Sequence, residues 1–257
     1  MNRLEAVLWD FDNTLSLTGK LSESVERTQA LITAQELGLA TEEKPFILPE
    51  DWSRYNGWAR KKIAADVFKI DADSPAADNY RQDTADRTVS IITEQARLMQ
   101  ALQEGSIEEL PETGSLLQPI HGAIGVLDLL RHYSVPQAIG TNSNRGILNA
   151  ALPVVGMGHG YFQTTIAQGE ARDGDKPSPS PYLELMGRLQ VHDRAAVLVV
   201  EDSATGITAG RYAGAHVLAL ASVLPPQAFE TMTDRPHAVA QNYEHAAQII
   251  RSYATPA

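Results

Sequence analysis

Apolar positions follow two different rhythms along this chain. Leu4-Glu5-Ala6-Val7-Leu8-Trp9 is a short apolar run that ends in acids, and it predicts a buried strand. From a helix that starts near Ser22 to about Pro119 the spacing is helical and no strand is expected. Ser22 is placed to cap a helix carrying Val25, Leu31, Ile32 and Leu37, and Leu98 and Leu102 belong to a long amphipathic stretch. Pro45, Pro49, Gly105 and Pro111 punctuate this block. Beyond Pro119 the rhythm changes. Helices are predicted over 125–132, 147–155, 179–189, 204–213 and 243–253, and strands over 136–140, 162–167, 196–200 and 216–220. The run Ala196-Val197-Leu198-Val199-Val200 is apolar throughout, as expected of a strand covered on both faces.

Strands alternating with helices predict an α/β fold with a doubly wound parallel sheet. The first strand belongs to that sheet even though a helical block interrupts it. An inserted all-α domain is therefore expected at 17–115, with 1–16 and 116–257 forming the core. A chain of 257 residues is long enough for a core and a second lobe, and its 43% hydrophobic and 21% charged residues are an ordinary globular balance. The formal net charge of −11 disfavours nucleic acid and anionic membranes as partners. An anionic substrate would need a local cation. With no cysteine, disulfides, thiolate catalysis and Cys-based zinc sites are excluded. Met1-Asn2-Arg3-Leu4-Glu5 shows no apolar signal and no run reaches membrane-spanning length, so a cytoplasmic protein is expected.

Candidate chemistry collects at predicted strand ends. Asp10 and Asp12 follow the first strand, at the edge where open α/β sheets bind ligands. Two carboxylates two apart on extended backbone point the same way, and together could hold a hard cation or share nucleophile and proton-transfer roles. Alone, the pair could equally be a solvated acidic loop. Glu201 and Asp202 follow another strand, where acids also suit a helix N-terminus. If the strands are neighbours, four acids converge, and crowded like charges call for a cation. Thr141-Asn142-Ser143-Asn144 forms an anion-binding corner or an ordinary helix cap. Lys176, before Pro177-Ser178-Pro179, is a cation on a stiff turn or a plain surface lysine. The histidines lack His-Glu-x-x-His spacing. Gly156, Gly158 and Gly160 miss the dinucleotide fingerprint, and Asp173 and Asp175 lack the acids of a calcium loop.

The ordered set Asp10-Phe11-Asp12-Asn13-Thr14, Thr141, Lys176-Pro177 and Glu201-Asp202 resembles the four short motifs of the haloacid dehalogenase-like superfamily. Ser203, Gly206-Ile207, Ala209-Gly210 and Ala213-Gly214 look like the helix after the fourth motif in its phosphatase branch. The resemblance covers residues 1 to about 16 and about 116 to 257. It implies a Rossmann-like core and a magnesium-dependent phosphatase acting on a small phosphorylated metabolite, as a monomer or homodimer. By the same resemblance, Asp10 is the nucleophile and Asp12 the general acid and base, a residue that also sets the chain apart from the true dehalogenases. Thr141 and the Asn142 N–H hold phosphate, and Lys176 offsets charge. Asp10, Asp12, Asp202 and Glu201 form the Mg²⁺ site, with Glu201 in direct contact or one step removed. The block at 17–115 resembles the helical cap of the first type, which closes over the site. Trp58, Arg60 and Lys61, in Tyr55-Asn56-Gly57-Trp58-Ala59-Arg60-Lys61-Lys62, stand where such caps carry a substrate-contacting loop. A solvated helix face with Trp58 in the cap core is the competing reading. Departures from the family pattern are Asn13 where Gly is commonest, the hinge Ser16-Leu17-Thr18 without an acid, and Ser22 where the sugar-phosphate mutases carry a His. The last weighs against the alternative of a phosphomutase. A phospho-Asp receiver module, the non-enzymatic alternative, would order its acids, Thr and Lys differently on a single short domain.

Overall fold

The computed structural model describes residues 4–41, 44–50, 55, 60–111, 116–158 and 160–254. In chain order, β1 (Ala6–Trp9) and β2 (Ser16–Leu17) precede three helices, α1 (Gly19–Glu36), α2 (Arg60–Phe68) and α3 (Pro75–Gln103). Then follow β3 (Gln118–Pro119), α4 (Ala123–His132), β4 (Gln137–Gly140), α5 (Arg145–Val154), β5 (Thr164–Ile166) and α6 (Ser180–Arg188). The remaining elements are β6 (Val197–Glu201), α7 (Ala204–Tyr212), β7 (His216–Leu220), α8 (Pro226–Glu230), β8 (Ala238–Ala240) and α9 (Tyr243–Ala254). The chain forms two compact units, Met1–Leu17 with Gln118–Ala257, and Thr18–Leu117.

The larger unit carries a six-stranded parallel sheet in the order β5-β4-β1-β6-β7-β8. β1 is central, with β4 on one side and β6 on the other. The strand order therefore reverses about β1, and the loops after β1, β4 and β6 open a crevice at their carboxyl ends. Alternation sends Ala6, Leu8, Val197 and Val199 into one apolar layer, shared with Tyr182, Leu185 and Ile207 of α6 and α7. On the other side α4 and α9 pack together, and the Trp9 ring lies 6.3 Å from that of Tyr243. β1 and β6 are buried at every residue, which is why β1 and the first four residues of β6 are unbroken apolar runs.

The smaller unit is a helical bundle in which α3 packs against α1 and α2. Ala30, Ala34, Tyr55, Ile63, Ala64, Phe68, Ala77 and Tyr80 form its core. The Tyr80 hydroxyl donates to the Glu26 carbonyl, and the amide of Gln95 makes two bonds to the backbone of Leu117, which tie the returning chain to α3.

Several expectations are corrected. α1 starts at Gly19, with Thr18 at its N-cap, so Ser22 lies inside the helix and caps nothing. The units part at Leu17/Thr18 and Leu117/Gln118, not at 16/17 and 115/116. At this junction β2 and β3 pair antiparallel, Ser16 opposite Pro119 and Leu17 opposite Gln118, and β3 falls at the end of the stretch expected to be helical. β8 and α8 were not expected. Each is too short to show a period against its surroundings.

Candidate active site

The site is built at the switch point. Asp10 and Asp12 leave β1, Thr141 to Ser143 leave β4, and Glu201 and Asp202 close β6, so parallel pairing brings the three strand ends side by side. The tight turn after β1 is held by Asn13, whose N–H donates to the Ser16 carbonyl. Asn13 has φ +57°, the left-handed region where Gly and Asn are the residues least penalised, so Asn in place of Gly preserves this turn.

Lys176 is the hub. Its Nζ donates to Asp10 Oδ1 at 2.5 Å and to Glu201 Oε1 at 2.6 Å, and lies 3.4 Å from the Tyr182 hydroxyl. All four side chains are buried. The lysine is held from behind by Asn142, whose side-chain amide donates to the Lys176 carbonyl at 3.0 Å and accepts its N–H at 3.1 Å. The Asn142 side chain thus positions the lysine loop, a role beyond the backbone N–H expected of it.

Asp12 is half-buried and turned toward β4. Its Oδ2 accepts from the Thr141 hydroxyl at 3.2 Å and from the Ser143 hydroxyl at 2.5 Å. Asp202 is buried, and its carboxylate accepts from the Thr14 hydroxyl at 3.4 Å. Glu201 is fully buried and saturated. Oε1 accepts from Lys176 and Tyr182, while Oε2 accepts from the N–H of Asp202, the N–H of Ser203 and the Ser203 hydroxyl.

Burial pushes the Asp10 carboxyl up, to about 8; Lys176 opposes this, and Glu201 and Asp12 add to it. Asp202 is raised well above the usual carboxylate range by burial and then by Asp10 and Glu201. Burial alone would lower Lys176, but Asp10 and Glu201 outweigh it and hold the ammonium charged. Asp10 and Glu201 thus share the Lys176 ammonium, with the Asp12 and Asp202 charges close by. Asp10, Glu201 and Asp202 offer oxygens within 4.8 Å of one another. Hard oxygen donors with excess negative charge suit Mg²⁺, and the sparsely bonded Asp202 carboxylate is the group most in need of it.

Of the expected site residues, Asp10, Asp12, Thr141, Asn142, Lys176, Glu201 and Asp202 come together. Arg60 and Lys61 belong to the helical unit, where each has a carboxylate partner: Arg60 Nε lies 3.5 Å from Glu26 Oε1, and Lys61 Nζ 2.9 Å from Asp78 Oδ1. Trp58 lies outside the described residues. Thr14, Ser143, Tyr182 and Ser203 also join the site. Ser143 had a signal, since it sits two residues after Thr141 in the same strand-end turn. Tyr182 stands near the expected start of a helix, where nothing in the sequence points to a polar partner.

The chain is 33% identical over 139 residues to the bifunctional riboflavin kinase/FMN phosphatase of Arabidopsis thaliana, covering 53% of this chain and 36% of that relative. The matched stretch thus spans about a third of the relative's length. Among solved structures, a family IA, variant 3 hydrolase from Entamoeba histolytica is similar at TM-score 0.73 and 19% identity, covering 96% of this chain and 99% of that one. CbbY from Rhodobacter sphaeroides in complex with phosphate is similar at TM-score 0.67 and 19% identity, covering 93% and 95%. The profile of the haloacid dehalogenase-like hydrolases matches residues 4–214, a span that runs from the first strand past both acids of β6. The chain belongs to the haloacid dehalogenase-like hydrolase family.

Proposed function

We propose that this hydrolase is a Mg²⁺-dependent phosphatase of small-molecule phosphate monoesters that works through an aspartyl-phosphate on Asp10. The observation that carries the reading is the Lys176 ammonium bonded to Asp10 at 2.5 Å, with a second acid, Asp12, on the same turn. A phosphate dianion repels a carboxylate nucleophile, so a cation fixed on that nucleophile is what the reaction requires. A carboxylate oxygen of Asp10 forms a bond to phosphorus as the bond from phosphorus to the ester oxygen breaks. Asp12 gives its proton to the departing alkoxide. It then takes a proton from water, whose oxygen attacks the acyl phosphate, releasing inorganic phosphate and restoring the Asp10 carboxylate. Thr141 and the strand-end N–H groups meet the phosphoryl oxygens. Asp10, Asp202 and the Asp12 carbonyl would hold Mg²⁺, which would supply charge neutralisation between the carboxylates and the phosphate.

The helical unit, Thr18–Leu117, acts as the cap that selects the substrate. FMN is the first substrate to try, because the Arabidopsis relative is named for an FMN phosphatase activity. The test is release of inorganic phosphate from p-nitrophenyl phosphate with and without Mg²⁺. A screen of FMN, sugar phosphates, phosphoglycolate, nucleotides and polyol phosphates then follows. Activity should need Mg²⁺ and disappear in Asp10→Asn. Turnover by that variant equal to the parent's would sink the mechanism. Isomerised sugar phosphate without net phosphate release would replace it by a mutase.

A further inference from the structure

Glu201 has five hydrogen-bond donors on its two oxygens and none of its surface exposed. An ionised carboxylate has about four lone-pair sites, so little capacity is left for a cation. Its place is also cut to shape. Gly206 of α7 lies against it so closely that a Cβ there would fall 1.7 Å from Oε1. The ammonium of Lys176 has three N–H donors. Asp10, Glu201 and the Tyr182 hydroxyl stand at 2.5, 2.6 and 3.4 Å from it, one for each. Tyr182 itself donates to Glu201 Oε1 at 2.6 Å, and Lys176 Nζ lies 5.5 Å from the centre of its ring. The ring is fully buried under the end of β4, where Gly140 admits it: a Cβ on Gly140 would lie 3.2 Å from the ring edge.

We infer that Tyr182 is a positioning residue, which locks Glu201 in place as the counter-ion of Lys176 and not as a ligand of the metal. Two of the three points that orient the ammonium are then Glu201 and Tyr182, and the third is the nucleophile it serves. The metal is left to Asp10, Asp202 and the Asp12 carbonyl. The kinetic part of this inference rests on the proposed phosphatase activity; the metal-binding part does not.

Tyr182→Phe keeps the ring and removes one hydroxyl. Mn²⁺ binding, followed by electron paramagnetic resonance, should stay within about twofold of the parent. On p-nitrophenyl phosphate, kcat should fall about ten- to a hundredfold, the worth of one hydrogen bond to a charged group, with KM within about twofold. Glu201→Gln should likewise keep Mn²⁺ affinity within about threefold, while Asp202→Asn loses most of it. Parental kcat in Tyr182→Phe overturns the inference. So does a loss of Mn²⁺ affinity in Glu201→Gln as large as that in Asp202→Asn. If Glu201→Gln does not fold, Tyr182→Phe decides on both readouts. If the parent hydrolyses no phosphate ester, the proposed function falls. Mn²⁺ affinity retained in Asp202→Asn would mean that the proposed metal site falls. These failures differ from that of Tyr182.

Discussion

Gly206 carries the tightest steric demand around the catalytic acids. With a Cβ at 1.7 Å from Glu201 Oε1, Gly206→Ala has to expel the carboxylate from its place beside Lys176. The variant is expected to lose kcat by about tenfold or more and to unfold about 1–3 kcal/mol more easily, as overpacked sites do. Steady-state kinetics and urea titration measure the two effects, and parental values in both would show that Glu201 has another place to go. Asn13 offers a gentler test. At φ +57°, Asn13→Ala should cost about 1 kcal/mol while Asn13→Gly holds the parental midpoint; the reverse order would remove the conformational explanation. At this scale the acids were legible because they stand just after apolar runs, and Lys176 because it falls in motif order, a set that purely structural reasons explain poorly. Hydroxyl residues have many such reasons. Ser143 reads as a cap and Tyr182 as a helix start, because their partners Asp12 and Glu201 come from other elements and meet them only in the fold.

The sheet's centre is tied together by one buried polar chain. Trp9 Nε1 of β1 donates to Gln137 Oε1 of β4 at 3.1 Å, and Gln137 Nε2 donates to the Leu127 carbonyl of α4 at 3.1 Å. Gln137→Leu would strip both partners while filling the space. Each orphaned buried group costs about 1–3 kcal/mol, so the loss should be about 2–5 kcal/mol, read from the urea midpoint by Trp9 fluorescence. A loss under about 0.5 kcal/mol would mean that the strands and α4 hold without it. Elements with a continuous apolar run or a long amphipathic stripe were legible, such as β6, β7 and α9. Their ends were less so: α1 begins before its expected cap because the turn that follows β2 carries the chain straight into the helix. The three residues of β8 gain their strand geometry from β7, whose Leu218 pairs with Ala238, and not from any pattern of their own.

Over the whole molecule, the cluster of buried acids links stability to both protons and metal. Asp10, raised from 3.8 to about 8, keeps its proton in the fold over a range where the unfolded chain has lost it. Asp202 is shifted the same way. Without metal, this contribution is full below about pH 4 and is lost as pH rises through about 8. Mg²⁺ in the proposed site would take the place of those protons, so its stabilisation should grow with pH. The rise in Tm on adding Mg²⁺ should be larger at pH 8 than at pH 6 by differential scanning calorimetry; an equal rise would show that protons and metal do not compete here. The two-unit plan was legible because the helical block breaks an alternating pattern. The way it is joined was not, since four residues of paired strand leave no periodicity to read. That small ribbon also makes the insertion separable. Leu17 and Gln118 stand opposite each other, so the chain leaves and returns through the mouth of a hairpin whose loop happens to be a domain. A two-residue Asn-Gly turn would close the same mouth. The port thus allows the helical module to be exchanged, or removed, without redrawing the sheet, and a shortened chain joined in this way should fold around an unchanged set of acids.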